Sequence, residues 1–150
     1  MIFTKDKITV KLYDSRKEMG EIAASDTAAK IEELLLVKDE INIIFAAAPS
    51  QNEFLASLVK ENRIDWSRIN AFHMDEYIGL EEDAPQRFGH FLKESIFGKV
   101  PFKQVNYING KALPSEECAR YEALLKQYPA DIVCLGIGEN GHIAFNDPHV

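Results

Sequence analysis

The chain has 150 residues, 46% of them apolar and 27% charged, with a formal net charge of -7. That length accommodates one domain, residues 1–150, with a substantial hydrophobic core. The acidic balance excludes the basic stripe that meets nucleic acid or an anionic membrane, although a few local donors can still hold a small anion.

Cysteine usage and the N-terminus narrow the setting. Cys134 falls in the apolar run Ile132 to Leu135 and reads as a small core residue, while Cys118 lies in a charged helical segment. Two such cysteines do not make a disulfide framework, so a reducing, cytoplasmic setting is expected. The opening MIFTKDKITV lacks the apolar core of a signal peptide, and no stretch approaches a membrane span. Neither repeats nor low-complexity linkers divide the chain.

Strand and helix signals alternate. Ile8 to Leu12 predicts a short strand. Asp14 or Ser15 caps a helix reaching about Val37, with Met19, Ile22, Ala23, Ile31 and Leu34 to Leu36 on its apolar face. Ile41 to Ala47 is a continuous, β-branched apolar run, the pattern of a buried parallel strand. Pro49 and Ser50 turn the chain into a helix over Gln51 to Glu61. Ile69 to Met74 predicts a second buried strand, Phe88 to Phe97 a short helix and Val105 to Ile108 a weak strand. Pro114 opens a helix to about Gln127, with Glu116 and Glu117 in its first turn, and Asp131 to Leu135 forms the last strand. Repeated β-α units of this kind predict an α/β fold: a mainly parallel sheet with helices on both faces, a Rossmann-like three-layer sandwich. Ligands bind such sheets at the carboxyl ends of the strands.

Three strand ends carry unusual sequence: Ala47 to Gln51, Met74 to Leu80 and Gly136 to Pro148. Gly136, Gly138 and Gly141 match G-x-G-x-x-G after a strand. The dinucleotide reading fails, because Asn146 and Pro148 punctuate the chain where a long helix should open. The glycines let the backbone turn sharply beside a ligand and hold His142 at the mouth of a cleft. At the second strand end, Asp75 and Glu76 emerge from a buried strand. A carboxylate there is either partly desolvated, with its pKa raised into a general-base range, or a cap for the next turn. Position alone does not choose between these. His73 and Asp75 alternate onto one strand face and could meet His142 at a metal. A structural or substrate-contacting histidine is the favoured reading, and no metal is expected.

Met74-Asp-Glu-Tyr-Ile-Gly-Leu80 and Gly141-His-Ile-Ala-Phe-Asn-Asp-Pro148 together resemble the paired signatures of the glucosamine-6-phosphate deaminase/isomerase family. The related 6-phosphogluconolactonases share the fold and a Gly-His element, but Ile143-Ala-Phe-Asn146 is similar to the deaminase version. The resemblance implies opening of a pyranose ring, proton transfer between C2 and C1 through an enediol-type intermediate, and release of ammonia. In that scheme Asp75 is the general base, His142 assists ring opening, and Asn140 and Asp147 flank it. Ser50, Gln51, Glu76, Tyr77, Gly138 and Gly141 are the expected substrate contacts. Proton shuttling needs positioned groups with tuned pKa values, so no cofactor is expected. The expected partner is a small sugar phosphate; a hydrolase of the lactonase branch and a sugar-phosphate-binding module are the alternatives.

The sequence departs from the family pattern in four places. Position 140 is Asn where some members have Asp, and an amide orients a histidine without supplying charge. Position 147 is Asp where Glu is usual. The first strand end reads Ala46-Ala-Ala-Pro-Ser-Gln51, where the family carries a Gly/Ser/Thr-rich phosphate loop; backbone amides of the next helix are the expected substitute. Finally, family members continue well past the second signature. The chain is therefore expected to be truncated at the C-terminus, with self-association into a homo-oligomer covering apolar surface left open.

Overall fold

The computed structural model describes residues 1–148; His149 and Val150 lie outside it. Four strands form a parallel sheet in the order β5-β4-β3-β6: β3 is Ile41–Phe45, β4 is Ile69–His73, β5 is Gln104–Asn106 and β6 is Ile132–Cys134. Phe45 pairs with His73 on one side and Cys134 on the other, so the central strands end at the same level. Helix α1 (Arg16–Leu35) leads into β3, and α2 (Asn52–Leu58), α3 (Phe88–Leu92) and α4 (Pro114–Gln127) connect the strands. A π-helical turn, Lys93–Phe97, continues α3 over the rest of the span expected for that helix.

Strand alternation divides the interior into two layers. Ile41, Ile43 and Phe45 of β3 join Ile69 and Ala71 of β4 in a cluster with Ala24, Ala28 and Ile31 of α1, Leu55 and Leu58 of α2, and Leu92 and Ile96. On the other face Phe72 meets the rings of Tyr121 in α4 and Tyr128 beyond it, at 6.1 and 6.2 Å. Asn42 and Asn70 also lie there; the Asn70 amide donates to Asn42 Oδ1 at 2.9 Å, which satisfies groups that would be costly to bury alone. Helices thus cover both faces of a parallel sheet, as the sequence predicts.

Local chemistry sets the boundaries. Ser15 caps α1, its hydroxyl accepting from the Glu18 amide at 3.1 Å. Gly20 lets α1 and α2 touch: a Cβ there would fall 2.6 Å from Glu53 Cβ and 2.8 Å from the Glu53 backbone. Arg16 braces the same crossing, pairing with Glu53 at 2.8 Å and donating to the Pro49 carbonyl at 2.9 Å. Trp66, the single tryptophan, is buried in a short 3-10 turn (Trp66–Arg68) before β4, edge-on to Phe102 at 5.0 Å.

Four expectations change. On α1 and its C-cap the residues Met19, Ile22 and Leu36, expected on the apolar face, are exposed, and the buried face is made by Gly20, Ala24, Ala28 and Ile31. The N-terminal strand does not join the parallel sheet. Instead β1 (Ile2–Lys5) and β2 (Ile8–Lys11) pair antiparallel as a separate hairpin, turned at Asp6 with φ 53°. The helix expected over Gln51 to Glu61 is shorter, a 3-10 turn over Pro49–Gln51 followed by α2. β5 ends at Asn106 rather than at Ile108, because the Ile108 amide turns inward to His73. Among the described residues β6 is an edge strand, with Val133 47% exposed, and no helix is long and apolar enough to cross a membrane.

Candidate active site

The carboxyl ends of β3, β4 and β6 bring the three unusual segments together. Ser50 and Gln51 follow β3; a Cβ on Gly136, just past β6, would lie 3.4 Å from Ser50 Oγ and 3.6 Å from Gln51 Nε2. From β4 to the last segment the connection is aromatic. Tyr77 lies 4.7 Å from Phe88, Phe88 lies 6.0 Å from Phe145, and Phe145 stacks on His142 at 6.3 Å.

Asp75 sits two residues beyond β4, half-buried. Burial, and next the neighbouring Glu76 carboxylate, push its carboxyl above the ordinary aspartate value. A carboxylate whose charged form is disfavoured is a stronger base than an exposed one. Of the two roles the sequence left open for this pair, capping falls to Glu76. Its side chain is only 1% exposed and accepts from the backbone amides of Tyr77, Phe88 and Gly89 at 3.0 Å each and from Arg87 Nε at 3.3 Å. The carboxylate expected to touch substrate thus ties the loop after β4 to the first turn of α3. Tyr77 is 45% exposed and leans over Phe88.

The segment after β6 forms no helix, which accords with rejecting a dinucleotide fingerprint. The Gly138 amide donates to the His142 carbonyl and the Gly141 amide to the Gly138 carbonyl, both at 2.9 Å. Gly141 takes φ +84°, and the His142 ring lies so close over Gly138 that a Cβ there would meet its Cε1 at 2.1 Å. Asn140 Oδ1 accepts from the His142 amide at 3.2 Å and lies 2.6 Å from His142 Nδ1. The neutral ring therefore carries its proton on Nδ1 and leaves Nε2 with the lone pair. Asn140 Nδ2 donates to Asp147 Oδ1 at 2.9 Å, and the same oxygen lies 3.1 Å from His142 Nδ1. The charge that an amide at position 140 cannot supply thus comes from Asp147.

The first strand end differs from expectation. The amides of Gln51 and Asn52, anticipated as phosphate donors, are committed within the 3-10 turn to the carbonyls of Ala48 and Pro49. Gln51 is buried and its amide group donates to Ser50 Oγ at 3.3 Å. A groove between α1 and β6 includes Ser50 and Gln51 but neither Asp75 nor His142. His73 does not turn toward His142 as a metal partner: both of its ring nitrogens are taken by backbone groups. Its engagement with Ile108, far along the chain, left no signal in the sequence.

Fold and site together define an α/β protein with a half-buried carboxylate and a hydrogen-bonded histidine on segments at the carboxyl edge of a parallel sheet. The sequence profile of the glucosamine-6-phosphate isomerases/6-phosphogluconolactonases matches residues 14–145, and the chain belongs to this family. It is 37% identical over 130 residues to the glucosamine-6-phosphate deaminase of Listeria innocua, a match covering 86% of this chain and 56% of the relative. In structure it resembles a monomeric glucosamine-6-phosphate deaminase (TM-score 0.80, 29% identity, 91% of this chain and 58% of the other). It also resembles the 6-phosphogluconolactonase of Thermotoga maritima (TM-score 0.78, 25% identity, 89% and 61%). The chain spans just over half the length of the curated relatives it matches.

Proposed function

We propose that the chain carries the proton-transfer half of a glucosamine-6-phosphate deaminase/isomerase site, acting in the conversion of glucosamine 6-phosphate and water to fructose 6-phosphate and ammonia. The observation that carries this reading is a partly desolvated Asp75 just past β4, on one segment at the carboxyl edge, and on another a His142 with its Nδ1 held by Asn140 and Asp147.

In this scheme His142 Nε2 takes the hydroxyl proton at C1 and the ring oxygen regains one as the pyranose opens. Asp75 then removes the C2 proton and returns it to C1, while the C1 oxygen gains a proton and the C2 amine gives one up. The resulting C2 imine adds water and expels ammonia, leaving the ketose. Each step moves a proton between positioned groups, which is worth about 10²–10⁴-fold apiece in general acid–base catalysis. Tyr77, Gly138 and Gly141 line the approach in this reading, Ser50 and Gln51 belonging to the separate groove between α1 and β6, and the expected ligand is the sugar phosphate.

The test offers the chain glucosamine 6-phosphate and 6-phosphogluconolactone side by side, following ammonia in one and acid in the other. Ammonia with an equal yield of fructose 6-phosphate is expected. Acid from the lactone without ammonia would transfer the site to the hydrolase branch, and binding of either ligand without turnover would make it a binding module.

A further inference from the structure

His73 is fully buried at the end of β4, where sheet residues are normally apolar. Its environment determines its proton. The Ile108 amide can only donate, and it donates to His73 Nε2 at 2.9 Å. The Asp75 carbonyl can only accept, and it lies 2.9 Å from His73 Nδ1. The ring must therefore be neutral with its hydrogen on Nδ1. One imidazole thus joins the last residue of β4, the main chain of Asp75 and the segment after β5. Tyr121 secures the same residue from the other face of the sheet: its hydroxyl donates to the His73 carbonyl at 2.7 Å and receives the His73 amide at 3.1 Å.

On the far side of Asp75, the Glu76 carboxylate holds the next turn through its three amides and Arg87. Gly110 adds a third contact, its carbonyl receiving the Gly79 amide at 2.8 Å where a Cβ would collide with the Tyr77 carbonyl at 2.2 Å. Asp75 thus lies between His73 and Glu76, whose side chains are both committed to backbone groups, and among the described residues its own side chain makes no hydrogen bond.

We infer that His73, as the neutral Nδ1–H tautomer, is the positioning residue for Asp75, clamping its backbone carbonyl against the Ile108 amide while Glu76 fixes the following peptide. The inference deepens the deaminase reading and rests on Asp75 being the base. A general base must hold its geometry to within a fraction of an ångström, and a misplacement of about 1 Å costs about 10²-fold. The groups facing the ring are the Asp75 backbone carbonyl, the Glu76 carboxylate, the Arg87 guanidinium and the Tyr107 ring, whose centroid is 5.9 Å away. Burial lowers the affinity of His73 for a second proton, which keeps the acceptor on Nε2 through neutral pH.

The test uses the whole chain and begins without a variant. Nitrogen-15 correlation spectra of the His73 imidazole should show a protonated Nδ1 and a bare Nε2. A ring protonated on Nε2, or one that takes its second proton at about 6.5 like a free histidine, would overturn the clamp. Two variants then separate its arms. His73→Asn places an amide donor near the Nδ1 position and should keep the carboxyl titration of Asp75, read by carbon-13, where the native chain has it. His73→Gln places an acceptor near Nε2, releases the Asp75 carbonyl and should let that titration fall toward about 3.9. Identical Asp75 curves in His73→Gln and the native chain would refute the positioning role. None of these readouts needs turnover, so absence of ammonia sinks the proposed activity and leaves the clamp tested. Where turnover is present, His73→Gln should lower kcat by about 10²-fold with KM nearly unchanged, and an unchanged kcat would count against it.

Discussion

The hydroxyl of Tyr121 satisfies both backbone polar groups of His73, taking its amide proton at 3.1 Å and giving its own to the carbonyl at 2.7 Å. This contact joins α4 to the end of β4, one residue past the point where the β4–β5 ladder stops at Phe72 and Asn106. Burial pushes the Tyr121 hydroxyl up to about 12, so it remains protonated and able to donate. Tyr121→Phe keeps the ring on Phe72 but strands two buried backbone groups, at a cost of about 1–3 kcal/mol. A urea midpoint equal to that of the native chain would show that other groups satisfy His73.

The α1–α2 crossing gives a second stability prediction, with a sign opposite to helix propensity. Alanine is favoured over glycine by about 1 kcal/mol within a helix. At Gly20 its methyl would press on Glu53 Cβ and the backbone beside it, distances of 2.6 and 2.8 Å that no side-chain rotation relieves. Gly20→Ala should destabilise by about 1–3 kcal/mol through overpacking. Thermal melting checks the sign; a stabilised variant would mean that the helices separate at little cost.

Asp75 is expected to trade stability for basicity. Its folded pKa is raised, chiefly by burial. Between the unfolded value of about 3.9 and that raised value the native state holds more protons than the unfolded one. Stability therefore falls as pH rises through this window and is level above it. Asp75→Asn should abolish ammonia release, leave sugar-phosphate binding largely intact and raise stability at neutral pH by about 1 kcal/mol or less, solvent access reducing the gain. Turnover in this variant at the native rate would remove Asp75 from the base role.

His73 has the opposite linkage. Its folded pKa is depressed, first by burial. Below about 6.5 the unfolded chain binds a proton that the native ring refuses, so the stability contributed by the neutral ring is present above that pH and is lost as pH falls through the window. The slope approaches at most about 1.4 kcal/mol per pH unit. Chemical denaturation at a series of pH values should show this slope in the native chain and not in His73→Asn; the same slope in both would assign it to another group.

For His142 the decisive comparison is between substrate forms. His142→Gln loses the Nε2 lone pair that opens the ring in the proposed scheme. It should slow reaction of the closed pyranose by about 10²-fold or more and spare a substrate already in the open-chain form. Equal losses on both forms would argue for a role after ring opening.

The β3 and β4 runs were legible because strands buried on both faces need no alternation, only continuous apolar residues. Ser15 and Pro114 marked their helix starts for reasons of local chemistry. The β1–β2 hairpin was less visible: its residues are mostly exposed, and Asp6-Lys7 lacks the glycine that announces a tight turn. At the site, residue identity pointed to Asp75 and His142, but the division of labour between Asp75 and Glu76 depends on Phe88 and Gly89, a dozen residues away. The fate of the amides at Gln51 and Asn52 was likewise hidden, since a 3-10 turn and an α-helix start look alike in sequence and differ in which carbonyls they use.

Trp66 and Asp75 lie beyond opposite ends of β4, whose five residues span ~17 Å of extended chain. The only indole in the sequence is packed on Phe102, before the amino end of β4. Its fluorescence emission should therefore change when the sheet comes apart and stay silent when a ligand or a proton arrives at the carboxyl edge. Optical melts and chemical-shift titrations of the same sample accordingly read two independent events, and a site variant whose emission spectrum is unaltered can be taken as folded before its chemistry is interpreted.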